Sequence, residues 1–391
     1  MIQHRSFQVA ISVALYLLIA SYLPDFIHQS LYTVSLLIKD ILLWSLPFSV
    51  CFFIGYAIVS FEKKAPLFIL CLFLFEAISN ACSVWYAYGC GFLVTTNIDA
   101  IKPQTLNDTF LPLWRLPFIK PVWWSADKGA LLGVILGLSC TFFSFPKKNF
   151  FTIGKRIAET ILTRFFANLI PIFILGFIAR MHKTQLIHQV VGQYADLLLW
   201  LVIALFVYIA ILFLLGGGKG SPSYIQRVKN LLPAFGISFS SGCSLSTMPW
   251  TISGTSKNLN NPDLAGAIIP STTNIQQIGD CIINSFFCFI IFYHFNGYKV
   301  DILTWASFSS VFVLARFATA AVLGGAVFIM LPIYEAYLGF TPEMIAIILA
   351  FNVILDPLVT CTNVIANGAL CRVFERVWGA LSSRPFVQRI R

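Results

Sequence analysis

The sequence has little charge for its length. Asp, Glu, Lys and Arg make up 11% of the 391 residues, whereas apolar types make up 58%. A soluble domain carries about 25% charged residues to cover its surface. This shortage excludes an ordinary soluble protein, and apolar windows of about 20 residues, the length of a bilayer span, recur along the chain. The sequence predicts an integral membrane protein whose solvent is a lipid bilayer.

Metal-binding and catalytic patterns are also missing. The five histidines are isolated, and the ten cysteines are scattered without zinc-ligand spacing. No nucleophile is paired with a base. The run 216–221, Gly-Gly-Gly-Lys-Gly-Ser, superficially resembles a phosphate loop, but it lacks the required spacing and a preceding strand. We predict a flexible cytoplasmic linker there, and we expect no cofactor, no transition-metal site and no enzyme activity.

The net charge of +10 does not indicate nucleic-acid binding, because the basic residues lie at the ends of apolar spans. Their placement favours both termini in the cytoplasm and an even number of spans. Together with short loops and a basic tail, it suits a bacterial inner membrane. The cytoplasmic groups would be Lys63–Lys64, Lys147–Arg156, Lys219–Lys229 and Arg372–Arg391.

Two stretches, 222–256 and 304–338, are apolar but broken by Gly, Ser, Thr and Pro. Irregular backbone at membrane depth is tolerated where protein buries it or water reaches it, and paired broken segments point to a transporter's binding site. About eight continuous spans are predicted, near 7–24, 37–60, 66–91, 129–146, 161–181, 192–215, 264–295 and 341–371.

Four ordered motifs carry a family resemblance. They are the serine-rich stretch 240–251, Pro-Ser-Thr-Thr-Asn-Ile-Gln at 270–276, Gly324-Gly325, and Asp-Pro-Leu-Val-Thr-Cys-Thr-Asn-Val at 356–364. Together they resemble the first hairpin, unwound seventh helix, second hairpin tip and eighth helix of the dicarboxylate/amino acid:cation symporter family, the glutamate-transporter homologues. The clear similarity runs from about residue 165 to 378.

The resemblance implies an all-α membrane protein with about eight transmembrane helices and two re-entrant helical hairpins. It implies a homotrimer and an elevator mechanism, in which a mobile unit carries substrate across the membrane. The implied divisions are scaffold helices in 1–65, helix 3 of the transport unit in 66–92, an outer loop and scaffold helices in 93–185, and the core transport unit in 186–391.

The matched residues imply a substrate site. Asp356 is a carboxylate inside an apolar span, which costs about 2–3 kcal/mol unless it is paired or solvated. In the family the corresponding aspartate binds the substrate's α-amino group, which favours an amino acid. The remaining implied substrate-binding residues are Cys243, Ser244 and Thr247 of the first hairpin, Val322 and Gly324 of the second, and Val359, Thr360 and Asn363 of the last helix.

Val359 departs from the family pattern, since members that carry acidic substrates have arginine there. Without that guanidinium, an acidic side chain would be buried unpaired. We therefore predict a neutral amino acid as substrate. Two alternatives stay open: an acidic amino acid or C4-dicarboxylate carrier that uses another cation such as Arg316, and a degenerate member that acts as an anion channel or sensor.

The implied cation sites also depart from the family. Asn274 and Asn363 match cation ligands, but Gln276 and Asn367 stand where the family has aspartates, and sodium prefers anionic oxygen ligands. Arg316 falls at a position whose backbone usually coordinates sodium, so that its charge is a fixed substitute for the cation. The whole predicted set is Glu76, Ser79, Asn80, Thr272, Asn274, Gln276, Arg316, Asn363 and Asn367.

Glu76 is a candidate proton carrier in this set. A structural ion-pair network that includes Glu76, Asp280 and Arg316 explains the charges equally well. The sequence leaves open whether transport is coupled to sodium, coupled to protons, or uncoupled.

Overall fold

All the regular structure described in the computed structural model is helical. The described residues are 11–12, 14–60, 66–96, 110–117, 121, 123–124, 126–142, 148–161, 167–183, 186–218, 220, 222–242, 244–273, 275–319 and 326–382. Local sequence explains the helices. The chain has long runs of Leu, Ile, Phe and Ala with few charges, and in lipid such runs form α-helices because an α-helix satisfies its own backbone N–H and C=O groups.

Thirteen α-helices have described bounds, preceded by a short 3-10 turn at Ala20–Tyr22. They are α1 (Asp25–Ser60), α2 (Pro66–Val94), α3 (Ala126–Phe142), α4 (Lys148–Thr160), α5 (Ala167–Lys183), α6 (Leu186–Leu215), α7 (Tyr224–Ser241), α8 (Ser244–Ser256), α9 (Asp263–Thr272), α10 (Ile278–Asn296), α11 (Ile302–Thr319), α12 (Ala326–Leu338) and α13 (Pro342–Ser382).

Four of the described helices are long and apolar enough to cross a bilayer. These segments are Leu70–Val94, Leu197–Leu215, Ile278–Asn296 and Ile354–Leu381. Shorter apolar helices accompany them, among them Ile302–Phe317 and Ile329–Leu338. The chain is thus an integral membrane protein, and the number of eight spans stays a prediction.

Both interrupted stretches form pairs of short helices that pack against each other. The first pair is α7 and α8, and the second is α11 and α12. Gly242 ends α7 in the left-handed conformation, with φ of 57°, and its N–H donates to the carbonyl of Ser238. Glycine adopts this backbone without steric cost, and α8 begins two residues later, at Ser244.

A third interruption separates α9 from α10. Helix α9 ends at Thr272, whose carbonyl accepts the N–H groups of both Ile275 and Gln276 over 2.8 Å, and α10 begins at Ile278. The predicted break in the helix near Pro270–Gln276 thus lies at 273–277 in the structure. It leaves backbone amides and carbonyls outside helical bonding, which side chains must satisfy.

The chain folds into two compact units, each assembled from segments that are distant in the sequence. Unit 1 comprises 1–62, 91–198 and 287–354, and its described core includes a run of aromatic rings, Trp305, Phe308, Phe312 and Tyr334. Within it, Arg180 Nε lies 2.5 Å from Glu343 Oε1, which joins α5 to the start of α13.

Unit 2 comprises 63–90, 199–286 and 355–391. It has its own apolar cluster, to which α2, α9 and α13 contribute Leu72, Ile268, Ile269, Cys371 and Phe374. Nearly all the described candidate site residues belong to unit 2. The division into a scaffold and a transport unit, with boundaries at 66, 93 and 186, stays a prediction.

Candidate functional site

The last helix presents a row of polar side chains in unit 2. Asp356, Thr360 and Asn363 follow one another at helical spacing on α13, so they share one face. Asp356 and Asn363 are half-buried, whereas Thr360 is buried. Val359 is 6% exposed beside them. This helix therefore offers a carboxylate and two neutral polar groups next to an apolar residue.

Asn363 joins this row to the first turn of α10. Its Oδ1 accepts the Gly279 N–H at 2.7 Å, and its Nδ2 donates to Asp280 Oδ2 at 2.8 Å. Both halves of the amide are used, which fixes its orientation. Asp280 and Asp356 thus place two carboxylates in unit 2, linked through Asn363 of α13. A ligand with a positive group suits such a pair.

Gly279 permits this close approach. A Cβ atom at this position would lie 2.6 Å from the Val359 carbonyl oxygen and 2.9 Å from Asn363 Oδ1. Both distances are below those that real Cβ atoms tolerate, and the first contact is with backbone that cannot rotate away. The absence of a side chain on Gly279 thus sets how closely α10 approaches the candidate substrate residues.

The turn between α7 and α8 lies beside Asp356. A Cβ built on Gly242 would be 3.8 Å from Asp356 Oδ2. Ser244 starts α8 and is half-buried, and Thr247 is buried one turn further on. The free amides at the start of a helix bind anionic groups. The Asp356 carboxylate therefore lies close to the turn that leads into α8.

Three predicted substrate-binding residues, Cys243, Val322 and Gly324, lie outside the described residues.

Asn80 of α2 satisfies the interrupted backbone between α9 and α10. Its Nδ2 donates to the Ile275 carbonyl over 3.1 Å, and its Oδ1 accepts the Gln277 N–H over 3.2 Å. The neighbouring Asn274, a predicted cation ligand, lies outside the described residues. One buried asparagine thus holds the break from both sides.

Two further members of the predicted cation set contact each other. Thr272 Oγ1 lies 2.8 Å from Asn367 Oδ1, which links the end of α9 to α13. Gln276 is 1% exposed, and neither of its side-chain amide atoms has a hydrogen-bonding partner among the described residues. Buried amide groups are normally paired, because leaving them unpaired costs about 1–3 kcal/mol each.

Glu76 and Ser79 lie on the same face of α2. Glu76 is 2% exposed, and its Oε2 has no hydrogen-bonding partner in the described part of the chain. Ser79 Oγ likewise has no hydrogen-bonding partner among the described residues. Glu76 lies near Cys371 and follows Phe75, which packs on the apolar cluster of unit 2. An acid in these surroundings is costly to ionise.

Arg316 belongs to unit 1, on the last turn of α11. It is 2% exposed, and its guanidinium carbon lies 4.7 Å from the centre of the Phe312 ring. Cys288 is close enough to feel its charge. Its role as a substitute for a bound cation stays a prediction.

The sequence did not reveal three features of this site. They are the Asn363–Asp280 contact, the close approach at Gly279, and the position of Gly242 beside Asp356. The only sequence signal was the spacing of Asp280, one helical turn after Gln276. The contacts themselves depend on how separate helices pack, which local pattern does not encode.

Comparison with known proteins yields one family. The sequence model described as the Sodium:dicarboxylate symporter family matches residues 6–377. A search of curated proteins finds no match.

Proposed function

We propose, from the premise that the chain belongs to the sodium:dicarboxylate symporter family, that it is a secondary transporter of a neutral amino acid. The family consists of cation-coupled dicarboxylate and amino acid symporters of the membrane, and it is not an enzyme family. The bilayer is thus the protein's environment and a small molecule its substrate. The amino acid, the elevator motion, the homotrimer and the bacterial inner membrane belong to the proposal.

One observation carries the choice of an amino acid: the Asp356 carboxylate lies beside the Gly242 turn and the start of α8. A zwitterion fits this arrangement, because its ammonium group pairs with Asp356 and its carboxylate with helix N-terminal amides. A dicarboxylate has no positive group to offer Asp356.

The burial of Val359 supports a substrate with a neutral side chain. It is buried one helical turn before Asn363, in a row that offers no cationic side chain from Asp356 to Asn363. A second carboxylate on the substrate would lose its hydration there without gaining a bidentate partner. Neutral side chains escape that cost.

Competition against uptake tests this choice. Purified protein in proteoliposomes takes up a labelled neutral amino acid, and unlabelled competitors are added in turn. We expect neutral amino acids to inhibit and aspartate, glutamate and succinate to have little effect. Strong inhibition by the acidic compounds, with none by neutral amino acids, would favour the alternative of an acidic amino acid or C4-dicarboxylate symporter.

We also propose that sodium coupling is weakened, and that protons, exchange or uncoupled transport replace it. Gln276 and Asn367 are neutral where the family has aspartates, and Asn367 already contacts Thr272. Glu76, buried with an unpartnered oxygen among the described residues, is the group best placed to carry a proton. Replacing sodium by choline tests this: uptake that continues supports the proposal, and complete loss at every pH rejects it.

A degenerate member that acts as a channel or sensor is distinguished by countertransport. A carrier shows saturable uptake that internal substrate stimulates. Current without stoichiometric movement of substrate would instead indicate a channel.

A further inference from the structure

The glycine-rich segment after α6 packs against two arginines of unit 2. A Cβ on Gly216 would lie 3.4 Å from Arg372 Cγ and 3.6 Å from Arg227 Nη1, and one on Gly217 would lie 3.5 Å from Arg227 Nη2. Arg227 belongs to the first turn of α7, and Arg372 to α13. Both arginine side chains thus lie close to Gly216.

Both arginines are buried: Arg227 is 5% exposed and Arg372 is 2% exposed. They are close enough that the charge of Arg372 acts unfavourably on Arg227. Burying one charge without a counter-charge is costly, and two like charges side by side raise that cost. This part of unit 2 therefore needs negative charge.

The described residues supply one carboxylate to this cluster, and it is already in use. Glu375 forms an ion pair with Arg372, and its two oxygens also accept the N–H groups of Asn260, over 3.2 Å, and Asn261, over 2.7 Å. Arg376 donates to the carbonyls of Leu215 and Gly217 over 2.8 and 2.7 Å. Glu375 is thus engaged by Arg372 and two backbone N–H groups, and Arg376 is engaged by two backbone carbonyls.

Arg227 is left without a counter-charge among the described residues. Its Nε and Nη1 atoms are buried and have no hydrogen-bonding partner there. Its other described neighbours are neutral: the Tyr224 phenol lies nearby, and the Asn258 amide donates to the Arg227 carbonyl. An arginine needs a partner with several acceptor oxygens, because its donors are arranged in a planar fork.

We propose that Arg227 and Arg372, beside the segment Gly216–Gly218, form a binding site for a phosphate group. A tetrahedral dianion or phosphodiester offers the oxygens that the guanidinium fork matches. The segment begins at buried Gly216 and is more exposed in the residues that follow, so the arginines lie just below the surface. The N–H groups of Gly216 and Gly217 already donate to the carbonyls of Leu212 and Leu214, so the arginine side chains supply the donors and the glycines leave space for a ligand beside them.

This phosphate site is separate from the candidate substrate site. Arg372 follows Asp356 by sixteen residues on α13, which is about 24 Å along a helix axis. Gly216 directly follows the apolar span Leu197–Leu215, at the depth where lipid headgroups lie. The phosphate has two sources, an anionic phospholipid headgroup or a free phosphate compound, and the experiment separates them.

The test measures ligand-dependent thermal stability of the full-length protein in detergent, followed by its tryptophan fluorescence. The probes are inorganic phosphate and phosphatidylglycerol, with chloride at equal ionic strength and phosphatidylcholine as their controls. We expect at least one probe to raise the Tm of the wild type saturably by about 2 °C or more. Phosphatidylglycerol acting alone assigns the site to a lipid headgroup, and inorganic phosphate acting in the absence of lipid assigns it to a free compound.

Arg227→Gln is the decisive variant, and Lys229→Gln is its control, because Lys229 lies on the same helix, is more exposed, and loses an equal charge. Arg227→Gln should lose the ligand-dependent rise, yet be at least as stable as the wild type without ligand, since it removes an unpaired buried charge. Lys229→Gln should keep the rise.

Arg227→Lys keeps the positive charge but loses the planar, forked arrangement of guanidinium donors. This variant provides a test if Arg227→Gln does not fold. Its apparent affinity for the effective probe should fall about tenfold. The proposal is overturned if neither probe stabilises the wild type, if Arg227→Gln gains as much as the wild type, or if Arg227→Lys binds with unchanged affinity.

Discussion

At the scale of single residues, the proposed substrate preference rests on Val359. Its side chain is buried beside the polar row of α13, so in the proposed site a substitution there would meet the substrate's side chain. We predict that Val359→Arg shifts the preference toward acidic amino acids. A charge-assisted pair is worth about 1.5–3 kcal/mol, so aspartate should gain roughly 10- to 150-fold in apparent affinity.

The measurement is the inhibition constant of aspartate against labelled neutral amino acid in proteoliposomes. Val359→Met is the control, because it adds length without charge and should leave aspartate a poor inhibitor. If aspartate binds the wild type and Val359→Arg equally well, residue 359 does not set the preference.

Glu76 gives a second prediction at the same scale. Glu76→Gln keeps the shape of the side chain and removes the proton that the carboxyl can exchange. If Glu76 carries the proton, uptake driven by a proton gradient should fall to the level measured without a gradient, while exchange of internal for external substrate continues. Uptake with and without an imposed pH gradient, and counterflow, measure the two activities.

Thr255→Val is the matched control for Glu76→Gln, because Thr255 Oγ1, also in unit 2, is buried and unpartnered among the described residues but does not titrate and is no predicted site residue. It should keep the response to the gradient. A Glu76→Gln variant that still responds fully to the pH gradient would show that Glu76 is a structural residue.

Chemical identity explains which individual residues the sequence could reveal. Asp356 and Glu76 are acids in apolar helices, and such residues stand out without a structure. Asn363 could be assigned by its motif, but its contacts with Gly279 and Asp280 could not, because they join helices far apart in the chain. The side-chain amide of Gln276 is unpartnered among the described residues, and this too depends on tertiary packing that the sequence does not reveal.

At the scale of helices, breaks in the α-helical pattern position the site. Proline, glycine and small polar residues predicted the broken segments correctly: α7 and α8 meet at Gly242, and α9 gives way to α10 at 273–277. The sequence did not predict how Asn80 satisfies the second break, because that contact spans almost two hundred residues.

The packing of α10 on α13 gives the prediction at this scale. Gly279→Ala places a methyl group 2.6 Å from the Val359 carbonyl oxygen, so the helices must separate. Such overpacking costs about 1–3 kcal/mol. We expect a lower Tm in detergent. We also expect a loss of uptake, because Val359 and Asn363 of α13 would both be displaced from α10.

Gly266→Ala provides the comparison for this variant. Gly266 lies within α9, also in unit 2, and a Cβ there meets no described atom within 4 Å. Alanine in an open helical position is stabilising by about 0.5–1 kcal/mol, so the Tm should hold or rise. Equal effects of the two alanines would contradict the close approach at Gly279.

At the scale of the whole molecule, composition alone predicted the class correctly. The low charge and recurring apolar windows predicted a membrane protein, the described helices include four of spanning character, and the family match covers residues 6–377. The substrate, the coupling ion and the trimer are not encoded at this level, because a few side chains determine the first two and a contact between chains determines the third.

The most direct test of the whole account is uptake of a panel of labelled amino acids by purified protein in proteoliposomes, with and without internal substrate and with choline in place of sodium. We predict saturable uptake of at least one neutral amino acid, stimulated by internal substrate and continuing in choline. Uptake confined to aspartate or a C4-dicarboxylate, and lost completely without sodium at every pH, would contradict both the proposed substrate and the proposed coupling.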